Sequence, residues 1–366
     1  MFFLLFFMAL NKSLSDFKAS FDQEFSSFFE KELQVVATIN PTATELLTHL
    51  QELCLGGGKR LRPFLSYLGY YLAKGNFKIE KDANVMQLGI ALELFQTIAL
   101  VHDDIIDEAT HRRGLPTIQT VYEHKLVNTF SNYKHLALSS SILAGDVAYS
   151  LSNKAFSKVK MTNKEVLEEY FWRMETEVCY GQVDDTLGVG LAELASLTRS
   201  QVLNMLDYKS GRYSIEKPLL LGAILAGKQP HELDNLSQAG IQLGIAFQLA
   251  DDILGIFGDE KITGKSSGGD LVEGKRTLLL LQTYQALSLE DKQTLIEILD
   301  SDKINGLEIA WFREKCKETG VYDEIKNYAR ELVTSSKEIL NNSNLDKNKP
   351  FEILLELADF LVSRAF

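Results

Sequence analysis

The chain has 366 residues, 45% of them hydrophobic, enough to bury a large core. Its net charge of −12 and pI near 5.1 rule against the basic footprint that nucleic acid demands, and against anionic membrane surfaces. Three cysteines, Cys54, Cys179 and Cys316, lie far apart without C-x-x-C spacing, so we expect reduced thiols in a cytoplasmic protein and no disulfide framework or zinc site.

The opening run from Met1 to Leu10 is apolar, too short to span a bilayer, and lacks a basic n-region. Residues 1–13 are read as an apolar extension of uncertain role, with Met8 as an alternative start, and residues 14–366 as one all-α domain. Phe17, Phe21, Phe25, Phe28 and Phe29 recur at helical spacing over 14–37. Asn40-Pro41-Thr42 reads as a helix start, Gly56-Gly57-Gly58 as a break, and Pro63 as the opening of another apolar helix. A long apolar helix is expected from Asp82 to about Glu108. Further helices are expected over 137–158, 163–187, 193–208, 217–226, 231–257, 276–288, 290–301, 307–318, 322–342 and 350–364. No convincing period-2 series marks a strand. The glycine-rich stretch 258–269 is long for a connection between helices, and we expect a lid over phosphates there.

Two acidic clusters end two apolar runs. Asp103, Asp104 and Asp107 follow Leu100-Val101-His102, and Asp251-Asp252 follow Ala246-Phe247-Gln248-Leu249-Ala250. Asp103 and Asp107, four apart, share a helix face and repel unless a cation sits between them. A solvated acidic face is the ordinary reading of such a pair, but the apolar run Ile98–Val101 weighs against it. Few carboxylates completed by waters and phosphate oxygens suit Mg²⁺. Asp251-Asp252 lacks a partner at i+4, where Gly255 stands; Asp259 lies two turns on, and Gln248 one turn before Asp252. Basic residues supply the complement. Gly58-Lys59-Arg60-Leu61-Arg62 follows a glycine run that lets backbone approach a phosphate; Arg112-Arg113, Lys265 and Lys275 lie elsewhere. Lys209-Ser210-Gly211 is expected at a helix break, where the lysine either reaches a reacting centre or stays in solvent. Gln182 and Asp185 share a face of helix 163–187. His102 reads as a residue that packs or that supports the neighbouring acids, rather than as a base.

These pieces together resemble the trans-isoprenyl diphosphate synthases, or polyprenyl synthetases. The resemblance runs through G-G-K-R-L-R-P (57–63), E-L-F-Q-T-I-A-L-V-H-D-D-I-I-D (93–107), R-R-G-L-P-T (112–117), G-Q-V-D-D (181–185), Y-K-S-G (208–211), F-Q-L-A-D-D (247–252) and G-K-S-S-G-G-D-L-V-E-G-K-R-T (264–277). It implies an all-α isoprenoid-synthase fold around a central cavity, a homodimer without a stable membrane span, and condensation of isopentenyl diphosphate with an allylic diphosphate. It implies three Mg²⁺ held by Asp103, Asp107 and Asp251, with Asp104 and Asp252 in support. Arg112, Lys209 and Lys265, with Lys275 nearby, would hold the allylic diphosphate. Gly58, Lys59, Arg62, Gln96 and Arg113 would hold isopentenyl diphosphate, and Gln182, Ser210 and Gln248 would line the carbocation site. The missing third aspartate at Gly255 departs from the family pattern.

Product length depends on what lies behind Asp103 on its helix. Ile98 and Ala99, about one turn back, are not aromatic, and Phe95 is about 12 Å back at 1.5 Å per residue. In such enzymes a bulky ring near the first turn stops growth at farnesyl length. Its absence points to a geranylgeranyl or longer product, with Phe95 as floor. Two other readings remain: a terpene cyclase, which needs no Lys59/Arg62/Arg113 pocket, and a non-catalytic subunit of a heteromeric synthase, which tends to lose the motif residues this chain keeps.

Overall fold

A computed structural model describes residues 8–75, 82–112, 114–187, 191–258, 268–301 and 303–363. These residues are helical apart from loops and one ribbon, β1 (His111–Arg112) against β2 (Leu115–Pro116). Contacts divide the chain into two compact units. One holds residues 1–167, 221–228 and 348–350, and the other 168–220, 229–347 and 351–366.

The first unit contains α1 (Met8–Ala37), α2 (Pro41–Leu55), α3 (Leu61–Lys74), α4 (Ala83–Ile106), α5 (Ile118–Leu126) and α6 (Tyr133–Ser157). The phenylalanines of α1 are buried at the expected spacing, and successive rings pack within 6 Å of one another. The helix starts at Met8, ahead of residue 14, and Leu10 and Ser13 are buried. The Asn40 side chain accepts the Thr42 amide and Pro41 occupies the first turn of α2, as the sequence implies. Helix α4 is apolar nearly all round because it is a core helix. Its neighbour α6 presents Ala137, Ser141, Ala144, Gly145 and Ala148, small residues that admit a close crossing. A β-carbon at Gly145 would lie 2.1 Å from His102 Nε2, and Ser152 Oγ donates to the Ala91 carbonyl at 2.8 Å. His102 therefore packs at a helix crossing. Helix α5, which the apolar pattern did not reveal, is started by Thr117, whose hydroxyl accepts the Thr120 amide.

The second unit contains most of α7 (Glu165–Leu187), then α8 (Arg199–Leu206), a π-helix (Asp207–Glu216), the start of α9 (Lys217–Leu225), and α10 (Asp234–Phe257). There follow α11 (Gly269–Val272), α12 (Leu278–Ala286), α13 (Leu289–Leu299), α14 (Gly306–Glu318), α15 (Val321–Asn342) and most of α16 (Lys349–Ser363). Helix α10 is its core, packed on α15 and the π-helix. Helix α15 buries Val321, Ile325, Ala329, Val333, Ser336 and Leu340, one stripe at helical period. The single helix expected over 193–208 is instead a 3₁₀ turn (Leu191–Ser196) followed by α8, and the expected break at Lys209 is a continuous π-helix. Hydrophobic period does not distinguish these, since a π-helix differs from an α-helix by one residue per turn in its hydrogen bonding.

Candidate active site

In the first unit, the basic loop begins with two glycines at positive φ, Gly57 at 141° and Gly58 at 107°. Lys59 is exposed and Arg62 half-buried at the start of α3. Arg60, counted from the sequence among the phosphate-binding bases, is only 2% exposed and faces the core.

The first acidic cluster closes α4. Asp103 and Asp107 are half-buried and Asp104 is buried; the Asp107 amide donates to the Asp103 carbonyl at 2.8 Å as it caps the helix. Next, the chain turns through Glu108, at a positive φ of 51°, into the ribbon. The turn returns Arg112 to the acids: its guanidinium hydrogen-bonds Asp104 and lies 3.6 Å from Asp103. Pairs eight or nine residues apart were not inferable from helix spacing, because the intervening turn makes them. Arg113 lies outside the described residues. Gln96 and Ala99 are half-buried along α4, whereas Phe95 and Ile98 are buried.

In the second unit, glycines bring backbones together. A β-carbon at Gly181 on α7 would lie 2.5 Å from the Lys209 amide nitrogen, and one at Gly244 on α10 would lie 2.2 Å from the Gly211 carbonyl oxygen. The π-helix is thus sandwiched by glycine contacts on each side, and Lys209 and Ser210 sit half-buried within it. Lys209 is ion-paired to Asp185. Arg212 Nε donates to Asp207 Oδ2 at 2.8 Å, five residues away, which suits the π-helix period. Gln182 is half-buried and donates to Thr186 at 3.3 Å.

On α10, Gln248 Nε2 donates to Asp252 Oδ1 at 2.8 Å. Asp251 is half-buried; Asp252 is 3% exposed and its Oδ2 is without a hydrogen-bond partner. Burial, then the neighbouring Asp270 and Asp251 carboxylates, push the Asp252 carboxyl up to about 8 against the opposing pull of Gln248 and Lys275. Asp270 was passed over in the sequence. It begins α11, is 6% exposed, and accepts from Lys275 at 3.2 Å. A β-carbon at Gly255 would lie 1.8 Å from Asp270 Oδ2. The space of the missing third aspartate is therefore occupied by a carboxylate from a later element; the only hint in the sequence was the glycine itself. Asp259, Lys265 and nearly all of the expected lid lie outside the described residues.

Among the described residues, no three His, Cys, Asp or Glu side chains group closely enough to hold a metal by themselves. The donors are all carboxylate oxygens, one of them buried without a partner, and this suits a hard cation that takes one or two carboxylates and fills its shell with water and phosphate oxygens.

Comparison with known proteins supports the same reading. A family model described as polyprenyl synthetase matches residues 43–312. A short chain isoprenyl diphosphate synthase of Methanocaldococcus jannaschii is 31% identical over 318 residues, covering 86% of this chain and 88% of the relative. A geranylgeranyl diphosphate synthase of Methanosarcina mazei is 29% identical, covering 85% and 87%. The crystal structure of geranylgeranyl pyrophosphate synthase from Corynebacterium glutamicum, complexed with isoprenyl diphosphate and magnesium, superposes with a TM-score of 0.88 at 31% identity, over 96% of this chain and 99% of that one. The acid-and-base motifs, the helical fold and a match over most of the length agree, and the chain belongs to the polyprenyl synthetase family.

Proposed function

We propose that this protein is a trans-prenyltransferase that condenses isopentenyl diphosphate with an allylic diphosphate (dimethylallyl, geranyl or farnesyl) to give an all-trans prenyl diphosphate of geranylgeranyl length or longer. The observation that carries the reading is that each of two apolar core helices, α4 and α10, bears a carboxylate cluster with a base bonded to it or to its neighbour: Arg112 on Asp104, and Lys275 on Asp270 beside Asp252.

Asp103, Asp107 and Asp251 would hold three Mg²⁺, with Asp104 and Asp252 in support. When bound with the allylic diphosphate, Mg²⁺ supplies positive charge that stabilises the leaving group. Arg112, Lys209, Lys265 and Lys275 add fixed positive charge on the same diphosphate as its C–O bond ionises. Gly58, Lys59, Arg62, Gln96 and Arg113 hold isopentenyl diphosphate so that its double bond meets the allylic cation. Ser210, Gln182 and Gln248 present neutral dipoles to that cation. No histidine is placed as a base; the proton lost after bond formation passes to the released diphosphate.

We further propose a cytoplasmic homodimer without a membrane span, its catalytic domain covering residues 14–366. Helices α4 and α10 are long and apolar enough to cross a bilayer, but 72% and 56% of their apolar windows are buried within the protein, which supports core helices. Ile142, Leu143 and Tyr149 on α6 and Trp172, Tyr180 and Val183 on α7 are exposed apolar residues available to a second copy. Among the described residues none of the three cysteines is joined in a disulfide; Cys54 and Cys316 are buried and Cys179 is exposed.

The test is to supply the purified protein with Mg²⁺, labelled isopentenyl diphosphate and each allylic primer in turn. Extended prenyl diphosphate is expected. A hydrocarbon would indicate a cyclase, and no product with any primer would indicate a non-catalytic subunit.

A further inference from the structure

Arg60 sits within the motif that holds Lys59 and Arg62, yet its side chain points the other way. It is among the largest fully buried side chains described. Its Nε donates to Asp22 Oδ1 on α1 at 2.7 Å, and its Nη1 donates to Glu93 Oε1 on α4 at 2.6 Å. The guanidinium also lies over two α1 rings, 5.5 Å from the centre of Phe25 and 6.0 Å from that of Phe21. One arginine therefore ties the loop before α3 to two other helices at once. Burial opposes the guanidinium's charge, but the Glu93 and Asp22 carboxylates together outweigh it, so the proton is held more firmly than usual.

The backbone explains why such an anchor is needed. Arg60 is left-handed, with φ 53° and ψ 36°, one residue beyond Gly57 and Gly58 at positive φ. Glycine adopts that region freely, whereas a residue with a β-carbon stays there only when its surroundings hold it. Three positive φ values within four residues turn the chain sharply between the glycine run and the first turn of α3. The turn leaves Lys59 exposed and Arg62 half-buried, with Arg60 inside. Released from its two carboxylates, Arg60 is free to relax to negative φ, and the spacing between Lys59 and Arg62 changes with it.

We propose that Arg60 is a positioning residue for isopentenyl diphosphate: the Asp22–Arg60–Glu93 bridge holds the left-handed turn that sets Lys59 and Arg62 at the separation a diphosphate needs. This rests on the reading that Lys59 and Arg62 grip that substrate, and it adds a residue that touches no substrate itself.

Arg60→Lys keeps the charge but cannot reproduce the forked pairing. We expect it to raise KM for isopentenyl diphosphate about tenfold while KM for the allylic diphosphate stays within about twofold, because misplacing a binding group weakens only the substrate it serves. Asp22→Asn removes one arm at a side chain that is 30% exposed, so folding survives; it should raise the same KM about threefold. Equal rises in both KM values, or an unchanged isopentenyl diphosphate KM in folded Asp22→Asn, overturns the proposal. Lys59→Ala and Arg62→Ala separate the two layers of inference. If neither alters KM for isopentenyl diphosphate, the assignment of the grip fails; if both do and Asp22→Asn does not, the positioning role fails.

Discussion

Gly255 shows how one residue can carry a constraint that its type conceals. It stands where the second acidic motif would have its third aspartate, and the Asp270 carboxylate fills the space a side chain would need. Gly255→Ala should destabilise the protein by about 1–3 kcal/mol, the usual range for forcing atoms into a packed site. A urea midpoint equal to that of the wild type would show that Asp270 moves aside freely. Glu216 carries a different constraint. It is 3% exposed, accepts from Ser237 at 2.6 Å and lies 3.6 Å from Lys217 Nζ, and burial pushes its carboxyl above the ordinary value despite both partners. A carboxyl that titrates higher when folded binds protons more tightly in the folded state. Its protonation therefore favours folding at low pH, and that contribution is lost as pH rises from 4.5 through the raised value. Thermal melts in steps across that window should show a decline in the wild type that is shallower in Glu216→Gln; parallel curves would remove Glu216 as a source.

At the scale of the element, the proposed function gives α4 two purposes along one axis. Its C-terminal turn holds Asp103 and Asp104, and two turns earlier Phe95 is buried within the same apolar helix. On the proposed function, a prenyl chain growing from the acids back along α4 would meet Ile98 and Ala99 before that ring. Phe95→Ala should therefore lengthen the product, read by chromatography of the dephosphorylated alcohols. An unchanged distribution would mean the floor lies elsewhere. The π-helix is the other element whose form matters. A ten-residue π-helix is rare, and here it holds Lys209 and Ser210. Glycine contacts at Gly181 and Gly244 and the Asp207–Arg212 pair explain how it persists where an α-helix would be the default.

For the whole molecule, the proposed homodimer makes a direct claim about mass. Light scattering should give twice the 41.1 kDa of one chain, and Leu143→Asp on α6 should shift the population toward monomer while the circular dichroism stays helical. A monomer at all concentrations would remove the second copy from the account.

Much of this molecule was legible from its residues in order. Helical fold class, the long helices and the acid and base motifs all follow from local rules: a 3.6-residue period, caps such as Asn40, and spacings such as Asp103 to Asp107. Other features rest on contacts between residues distant in the chain, which no local rule encodes. Arg60 reads as one more phosphate-binding base until Asp22 and Glu93 are seen to hold it inside. The vacancy at Gly255 reads as a loss until Asp270 is found against it. Even the start of α5 and the π-helix in place of an expected break fall in this class, since a threonine cap and a one-residue change in hydrogen-bond period leave the hydrophobic pattern almost untouched. A side chain's chemical type is written in the sequence, but its direction and its partner are settled only when separate helices pack together.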